Sequence, residues 1–291
     1  MPPAISLTRL RHRFHERLCS ELLSRREKGG LNNADGDQAA SVELADRMLL
    51  HIGLAPAAAK VSPQQLGSKF ASITCEFLEK SFRLLSHIRP GTWEFSTAPG
   101  ATAIANFAQY AHLAAIQQLL EERPDLKASL GGDYIITPDI VVARRPVADK
   151  ELDRAGLGLG LGADPSIARR SALRAKNPSD APPILHASIS MKWSMRSDRA
   201  QNTRTEALNL MRNRKGPTPH IAVVTFEPLP SRIASIAMGT GDVDCTYHVA
   251  LPELLVGAKE SSRTDQFEVL MTLVEGQRLR DVSDLVLDLA V

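Results

Sequence analysis

The chain has 291 residues, enough to bury a full hydrophobic core and close to the upper limit for one domain. It is 43% hydrophobic and 23% charged with a formal net charge of +2, so bulk charge alone indicates no nucleic-acid partner. No apolar run is long enough to cross a membrane, the first residues carry no signal-peptide core, and three widely spaced cysteines form no disulfide framework. We therefore expect a cytoplasmic protein with no membrane partner.

The first third of the chain has the apolar spacing of helices. Ser6 is placed to cap a first helix, and Pro63 is placed to open a longer one. Further helices are predicted over Ser41–Leu54 and Ala101–Glu122. A loop over 29–37 is rich in Gly, Asn and Asp, which ordinary turn chemistry explains, although Asp35 could also accept a hydrogen bond from cytosine N4.

The rest of the chain mixes strands with helices. After a short strand at 93–96, the apolar runs predict strands near 140–142, 184–195, 221–226, 233–238 and 244–251, and helices near 197–214 and 265–274. The Gly-, Pro- and Arg-rich connection over 144–183 is predicted to be a flexible loop. We expect one α/β domain over 1–291, with a helical N-terminal part over 1–125 and the sheet over 130–291.

Alternation is strict in the predicted strand that starts at Ile184. Its apolar side carries Leu185, Ala187, Ile189, Met191, Trp193 and Met195, and its polar side carries His186, Ser188, Ser190 and Lys192. An unpaired ammonium on a core strand costs free energy. Lys192 is therefore expected to have an anionic partner.

Four residues could form a hydrolytic site, namely Asp139, Ser190, Lys192 and Glu206. Phosphodiester hydrolysis needs a hard cation held by carboxylates, and a lysine can position or help deprotonate the attacking water. The Pro-Asp pair and the later lysine have the shape of the PD…(D/E)xK nuclease signature. Ser190 stands at its second acidic position, and Glu206 could restore the missing charge. A purely structural Lys192–Asp139 salt bridge explains the pattern equally well.

The chain then runs through Arg196, Ser197, Asp198 and Arg199 at the start of a predicted helix. Side chains at a helix N-terminus can reach base edges in the major groove. Arginine suits guanine O6 and N7, and aspartate accepts from cytosine N4, so this set favours G·C pairs. A capping aspartate flanked by solvated arginines is the simpler alternative for these four residues taken alone.

Long motifs are spread over nearly the whole chain: NADG, HIRPG, YAHL, DYIITPDIVV, LHASISMKWSMRSDRAQNTRTEALNLMRNRKG, PHIAVVTFEPLPSRIASIAMGTGDVDCTYH and DVSDLVLDLAV. In this order they closely resemble NgoMIV-type restriction endonucleases of the PD-(D/E)xK superfamily. The resemblance implies an α/β fold, a restriction-endonuclease-like core with a central mixed β-sheet flanked by helices. It implies Mg²⁺-dependent cleavage of double-stranded DNA at GCCGGC, after the first G, with a four-base 5′ overhang. It also implies a homotetramer, a dimer of dimers placed back to back.

The resemblance assigns catalytic roles to Asp139, Ser190, Lys192 and Glu206, with the metal held by Asp139, the Met191 carbonyl and Glu206. It assigns base reading to further residues. The central CCGG would be read by Arg196, Asp198 and Arg199, and the outer G·C pair by Asp35 and Arg232, with Asp37 nearby and Gln64 in the minor groove.

One departure from the family pattern concerns Ala71, which stands where the family carries a glutamate. Glu76, one turn further along the helix, could substitute as a metal ligand. The missing carboxylate leaves open an alternative, a sequence-specific DNA-binding protein that does not cleave. A structural or repair nuclease of the same fold is a third possibility.

Overall fold

The computed structural model describes residues 5–27, 29–57, 61–123, 125, 136–153, 159–161, 164, 166–195, 197–239 and 241–291. For residues 63, 117 and 197–201 it describes the backbone only. No helix in this described part of the chain is long and apolar enough to span a bilayer.

Helices dominate the first part and flank the sheet in the second. They are α1 (Leu7–Glu21), α2 (Ala39–Ile52), α3 (Pro63–Phe82), α4 (His112–Glu122), α5 (Asp149–Leu152), α6 (Ser197–Asn213), α7 (Pro230–Ala237), α8 (Leu251–Lys259), α9 (Thr264–Glu275) and α10 (Val282–Asp288). Ser6 is the predicted cap of α1, and its hydroxyl accepts a 3.3 Å hydrogen bond from the Arg9 N–H.

In the described part of the chain, six strands form one mixed sheet in sequence order. They are β1 (Trp93–Ser96), β2 (Ile140–Arg144), β3 (Ile184–Lys192), β4 (His220–Thr225), β5 (Cys245–His248) and β6 (Leu279–Asp281). The pairs β1–β2 and β2–β3 are antiparallel, and β3 to β6 run parallel. The start of β2 therefore lies at the same edge of the sheet as the ends of β3 and β4. This α/β architecture confirms the predicted fold class.

Apolar side chains cover both faces of the sheet. One face packs against α1–α3 and α7–α10 in the larger hydrophobic cluster, to which Met191 and Trp193 belong. The opposite face packs against α4 and α6 in a smaller cluster. Because strand side chains alternate, Ser190 and Lys192 lie on the face covered by α6.

A β-bulge interrupts the alternation predicted for β3. The pairing with β2 passes from Val142 opposite Ala187 to Ala143 opposite Leu185, so His186 is the extra residue. Leu185 consequently packs in the smaller cluster and Ala187 in the larger one. The prediction that Leu185 and Ala187 share one face was wrong, because an inserted residue reverses the side-chain order.

Three other elements predicted from the sequence differ from the structure in type or in extent. The run 233–238 was predicted to be a strand, but residues 233–237 belong to helix α7 and Met238 is its C-cap. Pro230 opens this helix, which buries Ile233 and Ile236 at helical spacing. A helix fits there, since parallel strands β4 and β5 need a crossover. The helix predicted over 101–122 begins only at His112, after a short 3₁₀ turn over Ile104–Asn106. The strand predicted over 244–251 ends at His248.

Candidate active site and DNA interface

Asp139 lies immediately before β2, between Pro138 and the buried Ile140. Its side chain is exposed, and its Oδ2 accepts a 2.7 Å hydrogen bond from the Met191 N–H. The carboxylate is thus attached to the backbone of β3 across the edge of the sheet. No described residue donates to its Oδ1.

The backbone around Lys192 explains which way the neighbouring peptide faces. The Lys192 carbonyl accepts from Thr225 Oγ1 at 2.8 Å and from the Phe226 N–H at 3.2 Å, so it points toward β4. Carbonyls of successive strand residues point to opposite sides, and the N–H and C=O of one residue point to the same side. The Met191 carbonyl therefore faces the side occupied by Asp139.

Glu206, on α6, completes this group. Its carboxyl is half-buried, and its pKa is raised, mainly because burial penalises the charged form. The positive charge of Lys192 opposes this shift and the negative charge of Asp139 adds to it. Glu206 is therefore within electrostatic reach of both Lys192 and Asp139. Ser190 lies on the same face of β3 as Lys192.

The Lys192–Asp139 salt bridge, which was the structural alternative to a hydrolytic site, is not formed. Within the described ranges, Lys192 has no carboxylate oxygen within the 4.0 Å of an ion pair. Lys192 is only partly buried, so water can solvate its ammonium. The expectation of a paired lysine was wrong because it treated the end of β3 as closed core.

Oxygen ligands converge at this edge of the sheet. Two carboxylates and one backbone carbonyl are hard donors, which suit Mg²⁺ better than they suit a soft metal. The described residues contain no cluster of three or more His, Cys, Asp or Glu side chains that could hold a metal alone. Mg²⁺ commonly keeps several waters and takes further oxygens from a bound phosphate, so a set of two carboxylates fits it.

A second group lies beyond the end of β3, around a cavity of about 280 Å³. Its lining includes Asp35, Asp37, Ser194 and Arg232. Arg232 and Asp35 form an ion pair, and Oδ1 of Asp35 accepts a 3.1 Å hydrogen bond from the Asp37 N–H. Three of the residues assigned to the outer base pair or its surroundings are thus brought together.

The other residues predicted to read bases are described only in part. Arg196 lies outside the described residues, and for Asp198 and Arg199 only the backbone is described, in the first turn of α6. That position agrees with the helix N-terminus expected from the sequence. Gln64 lies exposed in the first turn of α3.

Known restriction enzymes resemble this chain over nearly its whole length. The family model for the NgoMIV restriction enzyme matches residues 14–291. The chain belongs to this family. Among curated proteins, the type II restriction enzyme NgoMIV of Neisseria gonorrhoeae is 45% identical over 287 residues, which cover 98% of each chain.

Family membership confirms the resemblance on which the activity was predicted. The chain is a type II restriction endonuclease, a site-specific deoxyribonuclease that acts on double-stranded DNA. Enzymes of this type generally need a divalent metal ion. The oxygen ligands at the end of β3 agree with that need.

Glu76 is not among the residues that the structure brings together at this edge. Its Oε2 accepts from Arg17 on α1 at 2.5 Å, and its Oε1 accepts from Lys80. Those two cations account for the lowered pKa of Glu76. Ala71 is buried beside Phe70, whose ring packs edge-on against Trp193 at 5.2 Å. The family's acidic position is therefore occupied by a small core residue.

Sequence reasoning missed Glu227, just beyond β4. Its side chain is fully buried, and burial raises its pKa to about 7 against the opposing effect of backbone hydrogen bonds from Met195 and Leu229. The one available signal was an acidic residue directly after a buried strand, in the run Thr225–Pro228. A buried acid needs dedicated partners, so it merits the same attention as a buried lysine.

Proposed function

We propose that this endonuclease cuts GCCGGC after the first G, leaving four-base 5′ overhangs, and that it uses Mg²⁺. The catalytic residues are proposed on one observation: the Asp139 carboxylate accepts a hydrogen bond from the Met191 N–H, and both Asp139 and Lys192 lie within electrostatic reach of Glu206. The base sequence and the position of the cut rest on the family resemblance. We also propose that residues 1–291 act as one domain.

Each residue at the end of β3 has a proposed role. Asp139, the Met191 carbonyl and Glu206 would hold Mg²⁺, which neutralises phosphate charge and lowers the pKa of bound water. The Lys192 ammonium, free of an ion pair in the described part of the chain, can donate to a phosphate oxygen and orient the attacking water. The Ser190 hydroxyl on the same face can donate to a neighbouring oxygen. Glu76 is left out, since cations already occupy both of its oxygens.

The base-reading roles follow the chemistry of G·C pairs. Arg196, Asp198 and Arg199 would read the central CCGG from the N-terminus of α6, with arginine on guanine and aspartate on cytosine N4. Asp35 and Arg232 would read the outer pair, with Asp37 beside them and Gln64 in the minor groove. The shared cavity supports a common role for Asp35, Asp37 and Arg232.

The proposed assembly is a homotetramer of two back-to-back dimers, each holding one DNA site, in the cytoplasm. This rests on the family resemblance. Sedimentation equilibrium with and without a duplex carrying GCCGGC measures the mass directly. A mass of one or two chains under both conditions would overturn the tetramer.

The cleavage proposal is tested with a plasmid that carries one GCCGGC site. Wild-type protein in Mg²⁺ should linearise it, and sequencing of the ends should place the cut after the first G. Lys192→Ala should bind the same duplex in a gel shift and cut it at least roughly a hundredfold more slowly. Lys259→Ala, an exposed lysine at the end of α8, is the matched control and should cut normally. Undiminished cleavage by Lys192→Ala would overturn the catalytic assignment, and cuts at junctions or flaps without sequence preference would overturn the specificity.

A further inference from the structure

The fully buried carboxylate of Glu227 joins two segments that carry proposed base-reading residues. Its Oε2 accepts a 2.7 Å hydrogen bond from the Met195 N–H, and its Oε1 accepts a 3.1 Å hydrogen bond from the Leu229 N–H. Met195 directly precedes Arg196, and Leu229 is the N-cap of α7, which carries Arg232. The Glu227 side chain thus connects the residue before Arg196 with the residue that begins α7.

Neighbouring strands fix the orientation of Glu227. Its N–H donates to Thr225 Oγ1 at 3.0 Å, and the same hydroxyl donates to the Lys192 carbonyl. The Glu227 carbonyl accepts from His248 Nε2 at 3.1 Å. The backbone of Glu227 is therefore held by contacts with β3 and β5 as well as by its own segment, and this fixes the point from which its side chain extends.

The backbone of Met195 is held on both sides of its Cα. Glu227 binds its N–H, and Arg232 Nη1 donates to its carbonyl at 3.2 Å. Arg232 is itself paired with Asp35. A continuous set of contacts consequently runs from the pair proposed to read the outer bases to the residue before Arg196.

Only a carboxylate satisfies this arrangement fully. Both partners of the Glu227 side chain are N–H donors, and an ionised carboxylate is the one side chain of this size that offers two acceptor oxygens and no donor. Glutamine would present its NH₂ to one of the two N–H groups and lose that bond. Burying a charge costs free energy, so an acid at this place indicates that the protein needs both hydrogen bonds, from the Met195 N–H and from the Leu229 N–H.

We infer that Glu227 is a positioning residue that holds the backbone of Met195, directly before Arg196, and the start of α7, which carries Arg232, in one fixed relation, so that inner and outer base pairs are read together. This inference rests on the proposed base-reading function. Glu227 touches no base itself and acts through the peptide of Met195 and the start of α7.

The test measures how strongly the enzyme prefers its own sequence over altered sequences, as well as its activity. Fragment ends from a wild-type digest of genomic DNA first establish the sequence that is cut. The value of kcat/KM is then measured for that sequence and for duplexes with one inner or one outer base pair replaced. Glu227→Gln should reduce the ratio of cognate to altered duplex by roughly tenfold for both classes of replacement, the worth of one buried hydrogen bond.

A matched control separates this role from general stability. Asp281 is another buried acid that accepts backbone hydrogen bonds, from Leu251 and Ser283. Its other partner is the Arg11 side chain on α1, and it has no contact with Met195 or Leu229 among these bonds. Asp281→Asn should lower thermal stability and leave the discrimination ratio unchanged. An unchanged ratio in Glu227→Gln, or a change for only one class of base pair, would overturn the inference. A cut at another sequence would overturn the proposed GCCGGC site alone, because the ratios refer to whichever site is found.

The pH dependence of the wild-type ratio tests the inference without any variant. Protonation of Glu227, whose pKa is raised to about 7 by burial, converts one acceptor into a donor. The other groups facing it are Arg232, Asp35 and His248, and burial lowers the pKa of His248 to about 4. The ratio should therefore fall as the pH is lowered from about 8 to about 6, and it should stay flat in Glu227→Gln. A flat wild-type ratio over this range would overturn the inference.

Discussion

Oδ2 of Asp139 lies 2.7 Å from the backbone nitrogen of Met191, so the start of β2 is fastened to β3 at the point where both strands reach the edge of the sheet. The proposed metal site consequently lies where two paired strands meet, at the residue before β2 and at Met191 of β3, with Glu206 supplied by α6. Sites on strands hold their geometry more tightly than sites on loops. The contact uses one carboxylate oxygen and leaves Oδ1 without a donor among the described residues.

Asp139→Asn should abolish cleavage while preserving the fold. The amide oxygen can still accept from the Met191 N–H, but the negative charge that would bind the cation is lost. We expect single-turnover cleavage in Mg²⁺ to fall by at least about a thousandfold. Thermal melting should be close to that of the wild type. Cleavage within tenfold of the wild-type rate would show that Asp139 is not a metal ligand.

Glu206 and Glu76 give opposite predictions for the metal requirement. Glu206→Gln removes a charge next to Asp139 and should raise the Mg²⁺ concentration for half-maximal cleavage by roughly 10–100-fold. Glu76→Gln should leave it unchanged and should cost at most about 1 kcal/mol of stability, as for exposed ion pairs. Titrations of Mg²⁺ at fixed DNA compare the two variants directly. A higher requirement in Glu76→Gln would restore that residue to the metal site.

The strand and the helix that hold much of this site could be predicted from the sequence, because both give a local pattern. Alternation placed Lys192 on the face opposite Met191, and the helix N-terminus after Met195 was visible from its polar run. Other features of the fold depend on contacts between distant residues, which local patterns do not show. The bulge at His186 and the helix at Ile233 arise from how strands pair and cross over, and both involve residues far apart in sequence.

Long-range contacts also explain which site residues were misjudged or missed. An anionic partner for Lys192 was expected from burial of the strand, but the Asp139 carboxylate contacts a backbone N–H that no sequence pattern reveals. Glu227 was invisible for the same reason, since its partners Met195 and Leu229 are backbone groups. The meeting of Asp35 with Arg232, which are far apart in the chain, followed from resemblance and not from spacing.

Asp35→Ala should relax specificity at the outer base pair only. Its carboxylate pairs with Arg232 beside the cavity at the end of β3, which orients that guanidinium. We expect a loss of roughly 1–3 kcal/mol of discrimination at the outer G·C pair and little change at the inner pairs. Cleavage of duplexes altered at one position measures both. Asp46→Ala, which breaks the exposed pair with Arg25, serves as the control. An equal loss on all sequences would mean that Asp35 acts through phosphate or fold.

His186 should make the protein less stable in acid. Burial lowers its pKa from 6.5 to about 4, opposed by the 2.7 Å hydrogen bond from its Nε2 to the Leu289 carbonyl and reinforced by the charges of His220, Arg89 and Arg144. The unfolded chain takes up a proton on this residue below about pH 6.5, whereas the folded chain does not until the pH approaches 4. The stability contributed by neutral His186 is thus complete above about 6.5 and is lost as the pH falls toward 4.

His186→Gln keeps a side-chain donor for the Leu289 carbonyl and removes the titration. The free energy of unfolding of the wild type should drop between about pH 7.5 and 5, and the variant should show a drop smaller by about 1–2 kcal/mol. Urea unfolding at the two pH values measures this difference. His12→Gln, at an exposed position on α1, should leave the wild-type drop intact. An equal drop in His186→Gln and wild type would mean that His186 is already protonated in the folded chain at about pH 5, or that it titrates alike in both states.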